Sequence, residues 1–236
     1  MNQKNNVNIH YNPFWNVKYS HILLFLSCFA IITVLTITGV IKNLDNLLLD
    51  YFKNVPKSPQ SDLIVIIVTT FSDTINLIII GFILTIIKKT RRFGLIILIS
   101  IVVITIIVTY AKPLFAVNQI PATIVFKPLF NLPDKFTLEK DSFMPFAQNY
   151  SYPSNHLAST TAFCFIIAGL AYNRAPHFAK GFILFFPTII GITKLYLLQQ
   201  YFSDLIGGCI LGLLISSLII KITKIETEVK IKEDKT

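Results

Sequence analysis

The segment Lys88–Tyr110, KKTRRFGLIILISIVVITIIVTY, decides the fold class of this chain. A cluster of basic residues precedes an uncharged apolar run, Phe93–Tyr110. At about 1.5 Å per residue, a helix over this run crosses most of the roughly 30 Å hydrocarbon core of a bilayer. Short basic loops next to such helices usually lie in the cytoplasm. The segment therefore predicts a transmembrane helix whose first residues are cytoplasmic.

The composition of the whole chain agrees with a membrane protein. Of its 236 residues, 53% are hydrophobic and 14% are charged, and the mean hydropathy is +0.65. Soluble domains carry about 25% charged residues. All three cysteines lie within apolar runs, so we expect them to pack there and to form neither a disulfide nor a metal site. We expect no cofactor.

Further apolar runs predict an all-α, polytopic membrane protein of about six transmembrane helices. The predicted spans are His21–Ile41, Leu63–Ile87, Phe93–Tyr110, Leu157–Tyr172, Gly181–Leu198 and Leu205–Ile220. They divide the chain into a cytoplasmic N-terminal segment, 1–20, a six-helix membrane domain, 21–220, and a charged cytoplasmic tail, 221–236.

The distribution of charge predicts the orientation in the membrane. If the basic loop 88–92 is cytoplasmic, then both termini and the loop 173–180 are cytoplasmic too, and that side carries most of the Lys and Arg residues. The formal net charge of +9 has the same origin. Because the basic residues flank apolar runs and form no face with aromatic side chains, we expect no nucleic-acid partner.

Three polar groups lie at the outer ends of the last four predicted spans, where they meet one membrane face. Lys112 follows the third span, and Pro153–His156 precedes the fourth. The third group comprises Thr193, Lys194, Gln200 and Asp204, around the turn between the fifth and sixth spans. Together they predict a polar site at the outer face.

The group Pro153-Ser154-Asn155-His156 has the chemistry of an anion site. A helix that starts here presents free backbone N–H groups and the positive end of its dipole. His156, in the first turn, is placed to donate a proton to a leaving oxygen. An ordinary Ser N-cap beside an interfacial His explains the same residues, and both interpretations remain open.

The other polar residues also have two interpretations. Lys194 and Asp204 fit either a ligand site or a structural ion pair that closes the turn between two helices. The Gly207-Gly208 pair predicts close helix packing. Asp73, inside the second span, needs a partner or water, and we expect it to support the same outer site.

In their order and topological positions, these groups resemble the type-2 phosphatidic acid phosphatase and haloperoxidase superfamily over residues 60–220. That family carries the motifs Lys-x6-Arg-Pro, Pro-Ser-Gly-His and Ser-Arg-x5-His-x3-Asp. Lys112 matches the first Lys, and Pro153, Ser154 and His156 match the second motif, with Asn155 at its Gly. Thr193, Lys194, Gln200 and Asp204 match the third motif in spacing.

The departures from the family pattern fall on the positions that carry its chemistry. The resemblance implies a nucleophilic His at position 200, oriented by Asp204, but this chain has Gln200, and an amide is no comparable nucleophile. Two phosphate-gripping Arg are replaced by Lys194 and by Gln119 (or Ile120, with a one-residue shift). Lys keeps the charge but loses the planar fork.

The rest of the chain offers no substitute for these groups. The Arg residues and three of the four His residues fall on the predicted cytoplasmic side, and only His156 falls outside. The cytoplasmic residues are Arg91, Arg92, Arg174, His10, His21 and His177.

Three hypotheses follow. The first is a lipid phosphatase-like protein, in the plasma (inner) membrane of a bacterium, that binds a phosphorylated lipid head group with lost or altered catalysis. Its anion site would comprise Lys112, Ser154, Asn155, Lys194 and His156. The second is an active phosphatase on phosphatidic acid, phosphatidylglycerol phosphate or undecaprenyl pyrophosphate. His156 would then be nucleophile or base, assisted by Asp141 or Glu139. The third is a transporter or assembly component that uses the fold structurally.

Overall fold

A computed structural model describes residues 17–121, 126, 128, 140–171 and 176–223. Within these ranges the regular structure is entirely helical, which confirms the all-α prediction. The helices are α1 Tyr19–Ile37, α2 Lys42–Asn54, α3 Pro59–Thr70, α4 Thr74–Ile86, α5 Arg91–Phe115, α6 Asn155–Ala171, α7 His177–Tyr196 and α8 Phe202–Ile222. A short 3₁₀ helix, Pro145–Ala147, precedes α6.

The six predicted spans all correspond to helical segments. Four helices, α1, α5, α7 and α8, are long and apolar enough to cross a membrane. The pair α3 and α4 would make a fifth span, bent by 50°. The apolar helix α6 has 17 residues, about 26 Å at the usual rise. The predicted terminal segments 1–20 and 221–236 lie mostly outside the described residues.

The predicted span 63–87 is not one continuous helix, because it is broken and bent between α3 and α4. Successive i→i−3 backbone hydrogen bonds at Phe71, Ser72 and Asp73 tighten the end of α3 and stop it. The Ser72 hydroxyl donates to the carbonyl of Thr69 at 2.6 Å, a local bond that competes with the helical ladder. Asp73 then starts α4. The break brings Asp73 to a helix end instead of leaving it mid-helix.

Helix α2 was not predicted, because its apolar residues form a stripe and not a long run. Leu44, Leu47 and Tyr51 are exposed along one face. On the buried face, the carboxylate of Asp45 accepts hydrogen bonds from the Ser203 backbone N–H at 2.9 Å and hydroxyl at 2.6 Å. Asp45 therefore stabilises the first turn of α8, where backbone N–H groups lack helical partners.

Helix α6 lies at the centre of the bundle, packed against α5, α7 and α8. Its closest neighbour is α8, and glycines on α8 make this approach possible. A Cβ on Gly208 would lie 2.5 Å from the carbonyl oxygen of Ser154, and one on Gly212 would lie 2.3 Å from that of Ala158. The predicted close packing at Gly207-Gly208 is confirmed, and it fixes the first turn of α6 against α8.

We expect Gly212→Ala to destabilise the protein by about 1–3 kcal/mol, because the new methyl group meets the α6 backbone and not a flexible side chain. Gly181→Ala in α7 is the matched control, since its Cβ would meet nothing within 4 Å. Thermal unfolding of the purified protein in detergent measures both. Equal unfolding temperatures for the two variants would contradict this account of the packing.

Candidate anion-binding site

Lys112 enters the site from the last turn of α5, where its positive charge suits the helix C-terminus. The prediction that it lies beyond the third span is wrong, because α5 continues to Phe115. Its side chain is fully buried. The ammonium donates to Asp141 Oδ2 at 2.7 Å and to the carbonyl of Tyr150 at 3.0 Å. A buried cation of this kind requires an anion nearby.

The first turn of α6 supplies backbone donors opposite Lys112. Ser154 precedes the helix, and its hydroxyl accepts a 3.4 Å hydrogen bond from the Leu157 N–H. The N–H groups of Asn155 and His156 lie in the first helical turn, where no helical carbonyl accepts from them. Both donate to Asp141, to Oδ2 and Oδ1 respectively, at 3.0 Å each. The helix start that the sequence predicts as an anion site thus faces the carboxylate of Asp141.

The carboxylate of Asp141 is the centre of the site. Besides Lys112 and the two backbone N–H groups, the Ser154 hydroxyl donates to Oδ1 at 3.2 Å, and His156 Nδ1 lies 2.7 Å from the same oxygen. Burial alone would raise the pKa of Asp141, but the Lys112 ammonium and the contacts with His156 outweigh it and hold this pKa well below its usual range. Because an ionised carboxylate only accepts hydrogen bonds, His156 Nδ1 carries the hydrogen.

The imidazole of His156 lies between two carboxylates. Nδ1 faces Asp141, whereas Nε2 lies 3.8 Å from Asp73 Oδ1 at the break between α3 and α4. The side chain of His156 is 1% exposed. Next to it, Asn155 Nδ2 lies 3.5 Å from Thr74 Oγ1 at the start of α4. The broken span therefore forms one wall of the site, in agreement with the prediction that Asp73 supports it.

A short pairing of two segments closes the side of the site next to α5. Asn118 and Tyr150 form an isolated antiparallel bridge. The pairing places Gln119, at a family Arg position, so that its amide nitrogen lies 3.5 Å from the Tyr150 carbonyl that Lys112 also contacts. Gln119 is exposed, at the rim of the site.

The remaining predicted residues lie on the turn between α7 and α8. Lys194, 1% exposed, donates to Gln199 Oε1 at 3.1 Å. The Asp204 carboxylate accepts from the Tyr201 N–H at 2.9 Å and from the Ser151 hydroxyl at 3.1 Å. Gln200 is 2% exposed, and among the described residues its Oε1 has no hydrogen-bond partner. The two hydrogen bonds of Asp204 fix the start of α8 and the segment before Ser154.

A backbone link joins this turn to the centre of the site. The Ser154 N–H donates to the carbonyl of Asp204 at 3.1 Å, so the first turns of α6 and α8 are held together. Leu198, at the end of α7, has a positive φ of 54°. The hydrogen bonds from Leu198 N to Leu195 O and from Gln199 N to Lys194 O form a Schellman ending, which turns the chain sharply before Gln200.

Sequence reasoning identified four of the five residues that meet at the anion site: Lys112, Ser154, Asn155 and His156. It named the fifth, Asp141, only as a candidate acid beside His156. No local pattern distinguishes Asp141, and its role follows from distance alone. The other candidate acid, Glu139, lies outside the described residues.

We expect Lys112→Met to destabilise the protein by about 3–5 kcal/mol, because it leaves the Asp141 carboxylate buried without its cation. The double variant Lys112→Met with Asp141→Asn should recover part of this loss, since neither charge is then buried alone. Chemical unfolding in detergent micelles measures the three free energies.

Lys140→Met is the matched control for this cycle. Lys140 is exposed and makes only a long contact, 3.3 Å, with Gln148 Oε1. Its removal should change the free energy of unfolding by no more than about 0.5 kcal/mol. If Lys112→Met were equally mild, the pair would not be the buried interaction described above.

Comparisons with known proteins agree with this architecture. A sequence profile for the PAP2 superfamily matches residues 89–228. The fold is similar to that of a solved structure, the first transmembrane PAP2-type phosphatidylglycerolphosphate phosphatase from Bacillus subtilis, with a TM-score of 0.64 and 19% identity. The match covers 86% of this chain and 96% of that one. No curated protein sequence matches the chain. At this identity, the structural likeness shows a shared fold.

Proposed function

Because this chain belongs to the PAP2 superfamily, we propose that this lipid phosphatase-like membrane protein binds the phosphorylated head group of a membrane lipid. The ligand site is the cluster of Lys112, Ser154 and the first turn of α6, and catalysis is lost or altered. We place the site at the external face of a bacterial plasma membrane, as the distribution of Lys and Arg predicts.

One observation carries the proposal: five donors converge on one anionic group. They are Lys112 Nζ, the Ser154 hydroxyl, His156 Nδ1 and the backbone N–H groups of Asn155 and His156. A cation, a hydroxyl and a helix N-terminus are the groups with which proteins bind phosphate. All of them are buried, where each hydrogen bond to an anion is stronger than in water.

Altered catalysis follows from the turn that carries Gln200. The family resemblance implies a nucleophilic imidazole there, and the amide of Gln200 supplies none. The Asp204 carboxylate, which the resemblance assigns to orienting that imidazole, accepts from Tyr201 and Ser151 instead. The donors of the proposed head-group site thus lie on a scaffold whose predicted nucleophile is replaced by Gln200.

We expect the purified protein to bind soluble dihexanoyl phosphatidic acid and to release no phosphate from it. Ser154→Ala should weaken binding about 10- to 100-fold, the usual value of one hydrogen bond to a charged group. Ser27→Ala is the control, since Ser27 is exposed and bonds only within α1. Isothermal titration calorimetry measures the affinities. Equal affinity for both variants would exclude Ser154 from the ligand site.

A second candidate function rests on one of these five contacts. The 2.7 Å contact between Asp141 Oδ1 and His156 Nδ1 is that of a carboxylate that orients a catalytic imidazole. His156 Nε2 would then act as nucleophile or base in phosphate ester hydrolysis, with no need for an imidazole at position 200.

Phosphate release from phosphatidic acid, phosphatidylglycerol phosphate and undecaprenyl pyrophosphate decides between the two functions. If the Asp141–His156 pair is catalytic, the wild-type protein releases phosphate, and His156→Ala lowers the rate by about 100-fold or more. His21→Ala, which changes a His outside the site, is the control. If the wild-type protein releases no phosphate under conditions in which an active family member does, the second candidate is excluded.

A further inference from the structure

The group that fills the anion site is a side chain of the protein itself. Asp141 Oδ2 accepts from Lys112 and from the Asn155 N–H, and Oδ1 faces Ser154 and His156. We infer that Asp141 is an internal substitute for the ligand, and that an external phosphate group binds by displacing its carboxylate. This inference rests on the function proposed above and adds to it the state of the site before the ligand arrives.

The number of donors is larger than a carboxylate needs. Two donors meet Oδ2 and three meet Oδ1. An ionised carboxylate offers about four lone-pair positions, so five donors exceed its capacity. A phosphate monoester has three terminal oxygens, each a strong acceptor. These five donors, which we call the cradle, therefore match a tetrahedral oxyanion better than the planar carboxylate that they hold.

The charge of the site also favours the displacement of Asp141 by an external anion. Lys112 is fully buried at a fixed position on α5, and α6 directs its backbone N–H groups to the same point. The helices that carry these donors pack against each other and against α8. An empty cradle would leave the Lys112 ammonium buried without an anion, which is strongly unfavourable. A built-in carboxylate removes this cost until an external anion takes its place.

Few main-chain contacts hold the segment that carries Asp141. No main-chain hydrogen bond joins residues 140–143 to the remainder of the described chain, and Lys140, Phe143 and Met144 are exposed, although Ser142 is buried. The side chain of Asp141 supplies the strong contacts of this segment. If a competing anion displaces the Asp141 carboxylate, the segment can therefore move without breaking a main-chain hydrogen bond to the rest of the described chain.

Titration of the full-length protein in detergent micelles tests the inference. The probes are inorganic phosphate and dihexanoyl phosphatidic acid, and the variants are Asp141→Ala and Asp141→Asn. Asp141→Ala should bind phosphate about tenfold or more tightly than the wild type, because the internal competitor is gone. Asp141→Asn should gain less, since its amide still offers one acceptor oxygen. Asp50→Asn, which removes an exposed charge from α2, should change nothing.

If Asp141→Ala is too unstable for titration, thermal unfolding provides a second measurement of phosphate binding. Saturating phosphate should raise the unfolding temperature of this variant more than that of the wild type, because it replaces the missing partner of Lys112. If Asp141→Ala binds only phosphatidic acid more tightly than the wild type does, the lipid is needed for displacement. If it binds both anions more tightly, the phosphate group is the ligand.

Two results would overturn the inference, and they differ from each other. If the wild type binds phosphatidic acid and folded Asp141→Ala binds it equally or more weakly, Asp141 does not compete with the ligand, while the proposed function stands. If neither protein binds either anion, the proposed function fails and the inference fails with it.

Discussion

The structure depends on the need to give a buried ammonium an anion. Lys112 lies in the last turn of α5 with its ammonium group buried inside the protein. The free-energy penalty of burying an unpaired cation is larger than the stabilisation from packing one side chain. The Asp141 carboxylate answers this need, and the first turn of α6 adds backbone donors to the same point. The arrangement requires α6 to start beside the end of α5. The glycines of α8 permit this, because they allow the two helix backbones to approach.

The same constraint bears on the function proposed for this member of the PAP2 superfamily. Donors that are carried by helices can bind a phosphate group whether or not a nucleophile lies beside them. Asp204 and Gln200, on the turn between α7 and α8, differ in their contacts. Asp204 keeps a structural task, since its carboxylate and carbonyl tie together Tyr201, Ser151 and Ser154. Gln200 is buried, yet its carbonyl oxygen finds no donor among the described residues.

Much of this could be predicted from the sequence, for physical reasons that also set the limits. Long apolar runs specify apolar helices, so the positions of these helices were predicted to within a few residues. Helix ends have local signatures, which is why a helix start that can bind an anion was predicted at Ser154, Asn155 and His156. Asp141 has no such signature, because its partners are 13 or more residues away along the chain. The break after α3 and the amphipathic α2 were missed because hydropathy averages over the hydroxyl and carboxyl groups that cause them.

The contact between Asp45 and Ser203 connects the site to the surface of the bundle. Asp45 lies on α2, whose Leu44, Leu47 and Tyr51 point away from the protein. Ser203 precedes Asp204, and the carbonyl of Asp204 holds the Ser154 N–H. Three short polar contacts thus run from a helix that touches the surroundings to the first residue of the cradle. Asp45 thus ties the exposed helix α2 to the turn that positions the first residue of the cradle.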